Sequence, residues 1–173
     1  MLIHTDERRY ARKPHRNDWA TPQWTGAALE TLKLVEVGEG YELMPGCRVI
    51  ELPGHSPGSI GLEVETDEGL CLLVGDAIHN AAVALSGRNP LVFWDAELAD
   101  AAIRRCVDSG ALIYPGHDRP FRIQNGEVQY FAPFEMTLTG AGPETAGMAF
   151  VPSPPPREIW IMPGIEQQRA ALA

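Results

Sequence analysis

Short apolar runs bounded by Gly and Pro dominate the chain from Lys33 onward. Runs of about five to seven residues rich in Val, Ile and Leu have the length of β-strands. The turn T-D-E-G between the last two of them predicts a hairpin, because Gly69 can supply a positive φ. The predicted strands are 33–37, 41–44, 48–52, 59–65 and 70–74.

A helical spacing follows at Asp95, which is a favourable N-cap residue. Apolar residues then recur at intervals of three and four until Gly110, which predicts an amphipathic helix. Beyond it, the turn Asn125-Gly126 separates two more short runs and predicts a second hairpin. The pattern as a whole therefore predicts a mixed α/β fold. The later apolar runs are 111–114, 121–123 and 128–131.

The two ends of the chain lack this pattern. Residues 1–32 are polar, aromatic and turn-rich, and we expect an irregular N-terminal segment before a domain at 33–139. Residues 140–157 are rich in Gly and Pro and read as a linker or extended wrap, because they bury too little apolar surface to offset their ordering entropy. The tail 158–173 is either a segment that docks back or a partner-binding strand.

Composition narrows the function classes. With 173 residues, 45% hydrophobic and 21% charged, the chain has the balance of one soluble globular domain. A net charge of −9 argues against a nucleic-acid partner, and the basic cluster at 8–16 is expected to be a solvated surface. No apolar run suits a signal peptide or a membrane span, so we expect no membrane partner and a cytoplasmic protein. Three scattered cysteines, Cys47, Cys71 and Cys106, fit a reducing compartment.

Three strand ends carry the candidate chemistry. The runs I-E-L-P-G-H, L-L-V-G-D and L-I-Y-P-G-H end at His55, Asp76 and His117, each directly after a Gly. Strands that are neighbours in one sheet would bring these ends to a common edge, where two imidazoles and a carboxylate can converge. This donor set suits zinc, iron or manganese, and without nearby thiolates it favours an open, catalytic site.

The same motifs resemble those of a known family. P-G-H-S-P-G-S at 53–59, G-D-A at 75–77 and P-G-H-D at 115–118 are similar to three consecutive motifs of the metallo-β-lactamase superfamily, in its branch of lactonases and glyoxalase II-like thioesterases. The resemblance covers about residues 33–129. It implies a four-layer αββα fold, of which this chain carries roughly the C-terminal half, a mixed sheet of short strands with a flanking helix.

The resemblance also implies a function. The superfamily's site holds two metal ions, with His55 resembling a ligand of one, His117 a ligand of the other and Asp76 the carboxylate shared by both. The implied reaction is hydrolysis of an ester, lactone, thioester or amide bond in a small-molecule substrate.

The superfamily's H-x-H-x-D-H motif, which supplies four further ligands, does not occur in the chain. Each ion would keep two protein ligands, so we expect weak zinc binding and poor turnover from the lone chain. The alternatives are a truncated enzyme, a degenerate partner-binding relative, or one subunit of a split enzyme. The expected protein partner is another copy of the chain, which would bury the sheet face left exposed, or a complementing N-terminal half.

Other candidate residues carry weaker expectations. His4 and Asp6 form an H-x-D pair that is not the missing motif, and we do not expect them to touch metal. His79 either lines a substrate pocket or, as the favoured interpretation, lies in a surface loop. Phe93 and Trp94, just before the helix cap, are expected to pack in the core rather than wall a pocket.

Overall fold

The computed structural model describes residues 1–133 and 158–172, which form sixteen helices and strands. In chain order these elements are β1 (Leu2–His4), α1 (Thr5–Arg12), α2 (Thr25–Leu29), β2 (Val35–Val37), β3 (Glu42–Met44), β4 (Cys47–Glu51), β5 (Ile60–Thr66), β6 (Gly69–Gly75), α3 (Ala81–Ser86), β7 (Leu91–Val92), α4 (Ala96–Asp108), β8 (Leu112–Pro115), β9 (Phe121–Gln124), β10 (Glu127–Tyr130), β11 (Trp160–Ile161) and α5 (Ile165–Leu172). Each predicted strand and both predicted hairpins are present, and the predicted helix is α4.

Seven of the strands form one mixed sheet in the order β10-β9-β8-β6-β5-β4-β3. The strands β4, β5 and β6 are consecutive antiparallel neighbours, so β4 and β6 run in the same direction. The strand β8 then pairs parallel to β6 after a crossover through α4. The C-terminal ends of β4, β6 and β8 therefore meet at one edge of the sheet.

The helices α3 and α4 cover one face of this sheet. Alternate sheet residues such as Ile50, Leu72 and Val74 point towards them and pack in one core with Ile103 and Cys106 of α4. The N-cap of α4 is Asp95, whose side chain accepts a hydrogen bond from Leu98 N at 3.0 Å. This packing fixes the edge where the three strand ends meet.

The opposite face of the sheet is also apolar. The registers pair Val49 with Leu62, Leu62 with Leu73 and Leu73 with Tyr114, so these side chains share that face. Val49 is fully buried, whereas Leu73 is 41% exposed and Tyr114 is 37% exposed. Part of this apolar face therefore remains open to solvent in the described structure.

The N-terminal segment is more ordered than the sequence predicts. Residues 1–32 contain β1, which pairs with β2, and the helices α1 and α2. The helix α1 has eight residues, about two turns, which is too short to be stable alone, and it is held by contacts distant in sequence. Its Arg8 bonds both Glu30 at 3.0 Å and Glu36 at 2.6 Å, so part of the basic cluster is ion-paired.

The tail docks back onto the molecule, which is one of the two outcomes expected for it. Strand β11 pairs parallel to β7, and Met162 and Ile165 are buried with Phe93 in a small second core. The predicted linker, 140–157, lies outside the described residues. All three cysteines are free thiols. Among the described residues, no helix is both long and apolar enough to cross a membrane.

Candidate metal centre

The three predicted ligands come together at one edge of the sheet. His55 follows β4, Asp76 follows β6 directly, and His117 follows β8. The two imidazoles face different oxygens of one carboxylate: His55 Nε2 lies 3.7 Å from Asp76 Oδ2, and His117 Nε2 lies 3.0 Å from Asp76 Oδ1. The convergence predicted from the strand ends is therefore present in the structure.

These separations fit a metal ion between each pair of atoms. Zinc binds imidazole nitrogen and carboxylate oxygen at about 2.1 Å, and two ligands at the tetrahedral angle are then about 3.4 Å apart. The observed distances of 3.7 and 3.0 Å lie on either side of that value. The arrangement of Asp76, with one imidazole at each oxygen, is compatible with a carboxylate shared by two ions.

Two glycines make this close approach of loops sterically possible. A Cβ at Gly116 would lie 2.5 Å from Asp76 Oδ1 and 3.0 Å from the backbone of Gly75. A Cβ at Gly54 would lie 2.1 Å from the backbone N of Ala99, and Gly54 also has a φ of 134°. The Gly that precedes each histidine is thus required where its loop crosses other backbone.

The ring of His55 is fixed in the orientation that a metal ligand needs. Its Nδ1 lies 2.7 Å from the carbonyl oxygen of Leu91, which can only accept, so Nδ1 carries the proton. In the neutral ring, Nε2 then presents its lone pair to Asp76 Oδ2. Two electron-rich atoms facing each other are favourable only with a positive charge nearby. A hydrogen bond from the distal ring nitrogen to a carbonyl is the usual support of a histidine ligand.

The loop that carries Asp76 is anchored by a buried side chain that sequence reasoning did not select. Asn89 is 1% exposed, and its Nδ2 donates to the carbonyl oxygens of Asp76, at 2.8 Å, and Ala77, at 3.3 Å. Its Oδ1 accepts from Leu91 N at 3.0 Å. Asn89 therefore links the Asp76 loop to the strand whose carbonyl holds His55.

His79 lies in the loop between β6 and α3, as the favoured interpretation has it, but its side chain is partly buried and belongs to the cluster. Its ring stacks on His117, with centroids 5.5 Å apart, and meets His55 edge-on at 5.4 Å. One donor atom from each of Asp76, His79 and His117 lies within 4.8 Å of the other two. Burial lowers the pKa of His79, an effect that Asp76 partly opposes, which favours the neutral ring that can bind metal. In the sequence, the one signal for this role of His79 is its position three residues after Asp76.

The other candidates lie elsewhere. His4 bonds Glu51 Oε1 at 2.9 Å and caps α1 by accepting from Asp6 N, as expected for residues outside the site. Phe93 is buried, but its ring also meets that of His55 edge-on at 5.4 Å.

A cavity of about 980 Å³ lies beside α1 and α5, and none of the cluster's residues lines it. The cluster itself is open, with the Asp76 side chain 44% exposed and that of His117 64% exposed.

The chain is similar in sequence to known lactonases. The chain is 35% identical over 83 residues to N-acyl homoserine lactonases of Bacillus cereus and Bacillus thuringiensis. The match covers 45% of this chain and 33% of each relative. The chain therefore aligns with about a third of the length of these curated relatives. No protein-family model matches it.

Solved structures of lactonases resemble this chain over a longer part of its length than the sequence matches do. An N-acyl homoserine lactone hydrolase with the product N-hexanoyl-L-homoserine bound at its catalytic metal centre superposes with a TM-score of 0.56 and 29% identity, covering 68% of this chain and 46% of that one. The dizinc quorum-quenching lactonase AidC, at 13% identity and a TM-score of 0.54, covers 79% of this chain and shares the fold. These neighbours are metallo-β-lactamase-fold hydrolases, so the predicted fold class and family resemblance are confirmed for the matched part of the chain.

Proposed function

We propose that this chain, whose homologues and fold neighbours belong to the metallo-β-lactamase superfamily, contributes to a metal-dependent hydrolase acting on a small-molecule lactone. The observation that carries the proposal is the shared carboxylate: His55 and His117 approach opposite oxygens of Asp76 where three strands running in the same direction end. The lactone is favoured over an ester, thioester or amide because the matched relatives are lactonases.

We propose His55, Asp76 and His117 as metal ligands and add His79 as a further donor. With His79, one position holds three protein donors, Asp76, His79 and His117, which is the usual number at a catalytic zinc site. The donor set suits zinc, with iron or manganese as alternatives. A bound ion would supply Lewis-acid polarisation of the scissile carbonyl and acidification of water.

The protein's own groups have separate tasks. The Leu91 carbonyl keeps the proton of His55 on Nδ1, leaving Nε2 as the donor atom. Asn89 holds the loop of Asp76 through two carbonyls. Because the side chains of Asp76 and His117 are partly exposed, a substrate can reach the cluster from solvent.

The experiment is a zinc titration of the metal-free 173-residue chain by calorimetry, followed by a zinc-dependent lactone hydrolysis assay. Asp76→Asn removes the shared carboxylate and is expected to abolish most zinc binding, while His79→Ala is expected to weaken it. Asp67→Asn, the same change in the exposed hairpin turn, is the matched control and is expected to bind like the wild type. Equal zinc affinity in Asp76→Asn and the wild type would overturn the proposed site.

We further propose that the open apolar face of the sheet packs against another polypeptide layer, either in a second copy or in a chain that contributes further ligands. The face carries Leu62, Leu73 and Tyr114, and the matched solved structures are about twice as long as the segment they share with this chain. Burying such a face is the usual source of association energy. The oligomeric state in solution tests this proposal.

A further inference from the structure

The strand β7 has two edges, and each is used by a different part of the chain. Successive carbonyls of a strand point to opposite edges. On one edge, the carbonyls of Pro90 and Val92 accept hydrogen bonds from Trp160 N at 2.8 Å and Met162 N at 2.9 Å. On the other edge, the Leu91 carbonyl accepts the bond from His55 Nδ1 at 2.7 Å.

The backbone of His55 is tied to the same strip. Phe93 N donates to the His55 carbonyl at 2.9 Å, and the Phe93 ring packs edge-on against the imidazole. Phe93 is in turn buried against Met162 and Ile165 of the C-terminal segment. Both the hydrogen bond and the ring contact that orient His55 therefore depend on residues that the C-terminal segment holds.

The C-terminal segment has anchors of its own beyond the strand pairing. Arg169 of α5 forms an ion pair with Asp95 and donates to the carbonyl of Trp94 at 3.2 Å. Asn17 Nδ2 donates to the Pro163 carbonyl at 2.6 Å. Among the described residues, β11 is the only strand that pairs with β7. Because β7 has only two residues, it depends on this pairing for its extended conformation.

We propose that residues 158–170 form a strap that holds the imidazole of His55 in its metal-binding orientation by pairing with β7. The inference rests on the proposed function, because it takes His55 as a metal ligand. The strap acts on His55 through β7 and Phe93, so its residues are positioning residues. A shift of β7 by about 1 Å would stretch the bond between Nδ1 and the Leu91 carbonyl beyond hydrogen-bonding range and free the ring to rotate.

The test uses the full chain without metal and reads the ring of His55 directly. Long-range proton–nitrogen NMR correlations at mildly alkaline pH distinguish a ring fixed with its proton on Nδ1 from one that averages both tautomers, and His55→Gln assigns the signal. Met162→Ala removes a buried strap side chain, which is 1% exposed. Ile161→Ala, at the neighbouring position in the same segment but 45% exposed, is the matched control.

We expect the fixed tautomer in the wild type and in Ile161→Ala, and an averaged one in Met162→Ala, with rescue by Met162→Leu. Arg169→Gln loosens the strap at its other end and is a second variant in case Met162→Ala does not fold. Zinc affinity is expected to fall about tenfold or more in the loosened variants, the usual effect of removing the support of a metal ligand.

Hydrogen exchange at Trp160 and Met162 reports whether the strap has come away from β7. An unchanged His55 tautomer in a folded variant that has lost this amide protection would overturn the strap. If the wild type fails to bind zinc while the tautomer still responds to the strap variants, the proposed function fails and the strap stands. If the wild type binds zinc and the loosened variants match it in affinity and tautomer, the strap fails alone.

Discussion

A methyl group at Gly116 should disturb the proposed metal site without replacing any of its donor atoms. In Gly116→Ala the new Cβ would begin 2.5 Å from Asp76 Oδ1 and 3.0 Å from the carbonyl carbon and oxygen of Gly75. The carboxylate can rotate, but the backbone of Gly75 cannot yield in the same way. The loop carrying His117 and the loop carrying Asp76 must therefore move apart.

The size of the movement follows from the contact distances. Ordinary van der Waals contact begins near 3.4 Å, so the carboxylate oxygen has to shift by about 0.9 Å. Metal–ligand distances tolerate about 0.2 Å, so a shift of this size takes a donor out of coordination range. We expect a loss of zinc affinity of about tenfold or more. The overpacking should also lower the free energy of unfolding by about 1–3 kcal/mol.

The assay combines zinc calorimetry with thermal unfolding in metal-free buffer, which separates site distortion from loss of stability. The matched control is Gly38→Ala, whose Cβ would meet only the end of the Glu51 side chain at 3.0 Å and His4 Nε2 at 3.9 Å. The control should retain wild-type zinc affinity. Wild-type zinc affinity in folded Gly116→Ala would show that zinc binding does not depend on the spacing of the two loops.

Two further outcomes are expected. Glu39 pairs with Arg105 at 2.7 Å, and the hydrogen bond from Arg105 holds the pKa of Glu39 below 4.5. This pair stabilises the fold above about pH 4.5, and the effect disappears as pH falls through the folded pKa. In urea unfolding, Glu39→Gln should therefore lower the free energy of unfolding by less than about 1 kcal/mol at neutral pH and leave it unchanged in strong acid. A loss of stability that does not depend on pH would contradict this. In light scattering, the wild type should self-associate as its concentration rises, and Leu73→Glu should not. The control Leu85→Glu, at a site on α3 that is 52% exposed, should behave like the wild type. A monomeric wild type would refute the packing of this face against a second copy.

Local sequence determined the candidate ligands and most of the sheet. In the runs that end at His55, Asp76 and His117, a strand of apolar residues, a Gly and a polar side chain follow in order, and each feature acts within a few residues. The helix α4 was equally readable, because its cap and its end are marked by Asp95 and Gly110. Such patterns can be recognised without knowledge of the fold, since turn geometry and periodicity are local properties.

Tertiary structure alone decided what surrounds those ligands. Asn89 is an ordinary polar residue in sequence, and it becomes an anchor because the fold buries it between the Asp76 loop and β7. His79 became a donor candidate because its ring packs between His55 and His117. The elements α1 and β11 are too short to be stable by themselves, and they exist through contacts with partners more than twenty residues away. A short segment's conformation is set by the surface that buries it, and that surface is assembled only when the chain has folded.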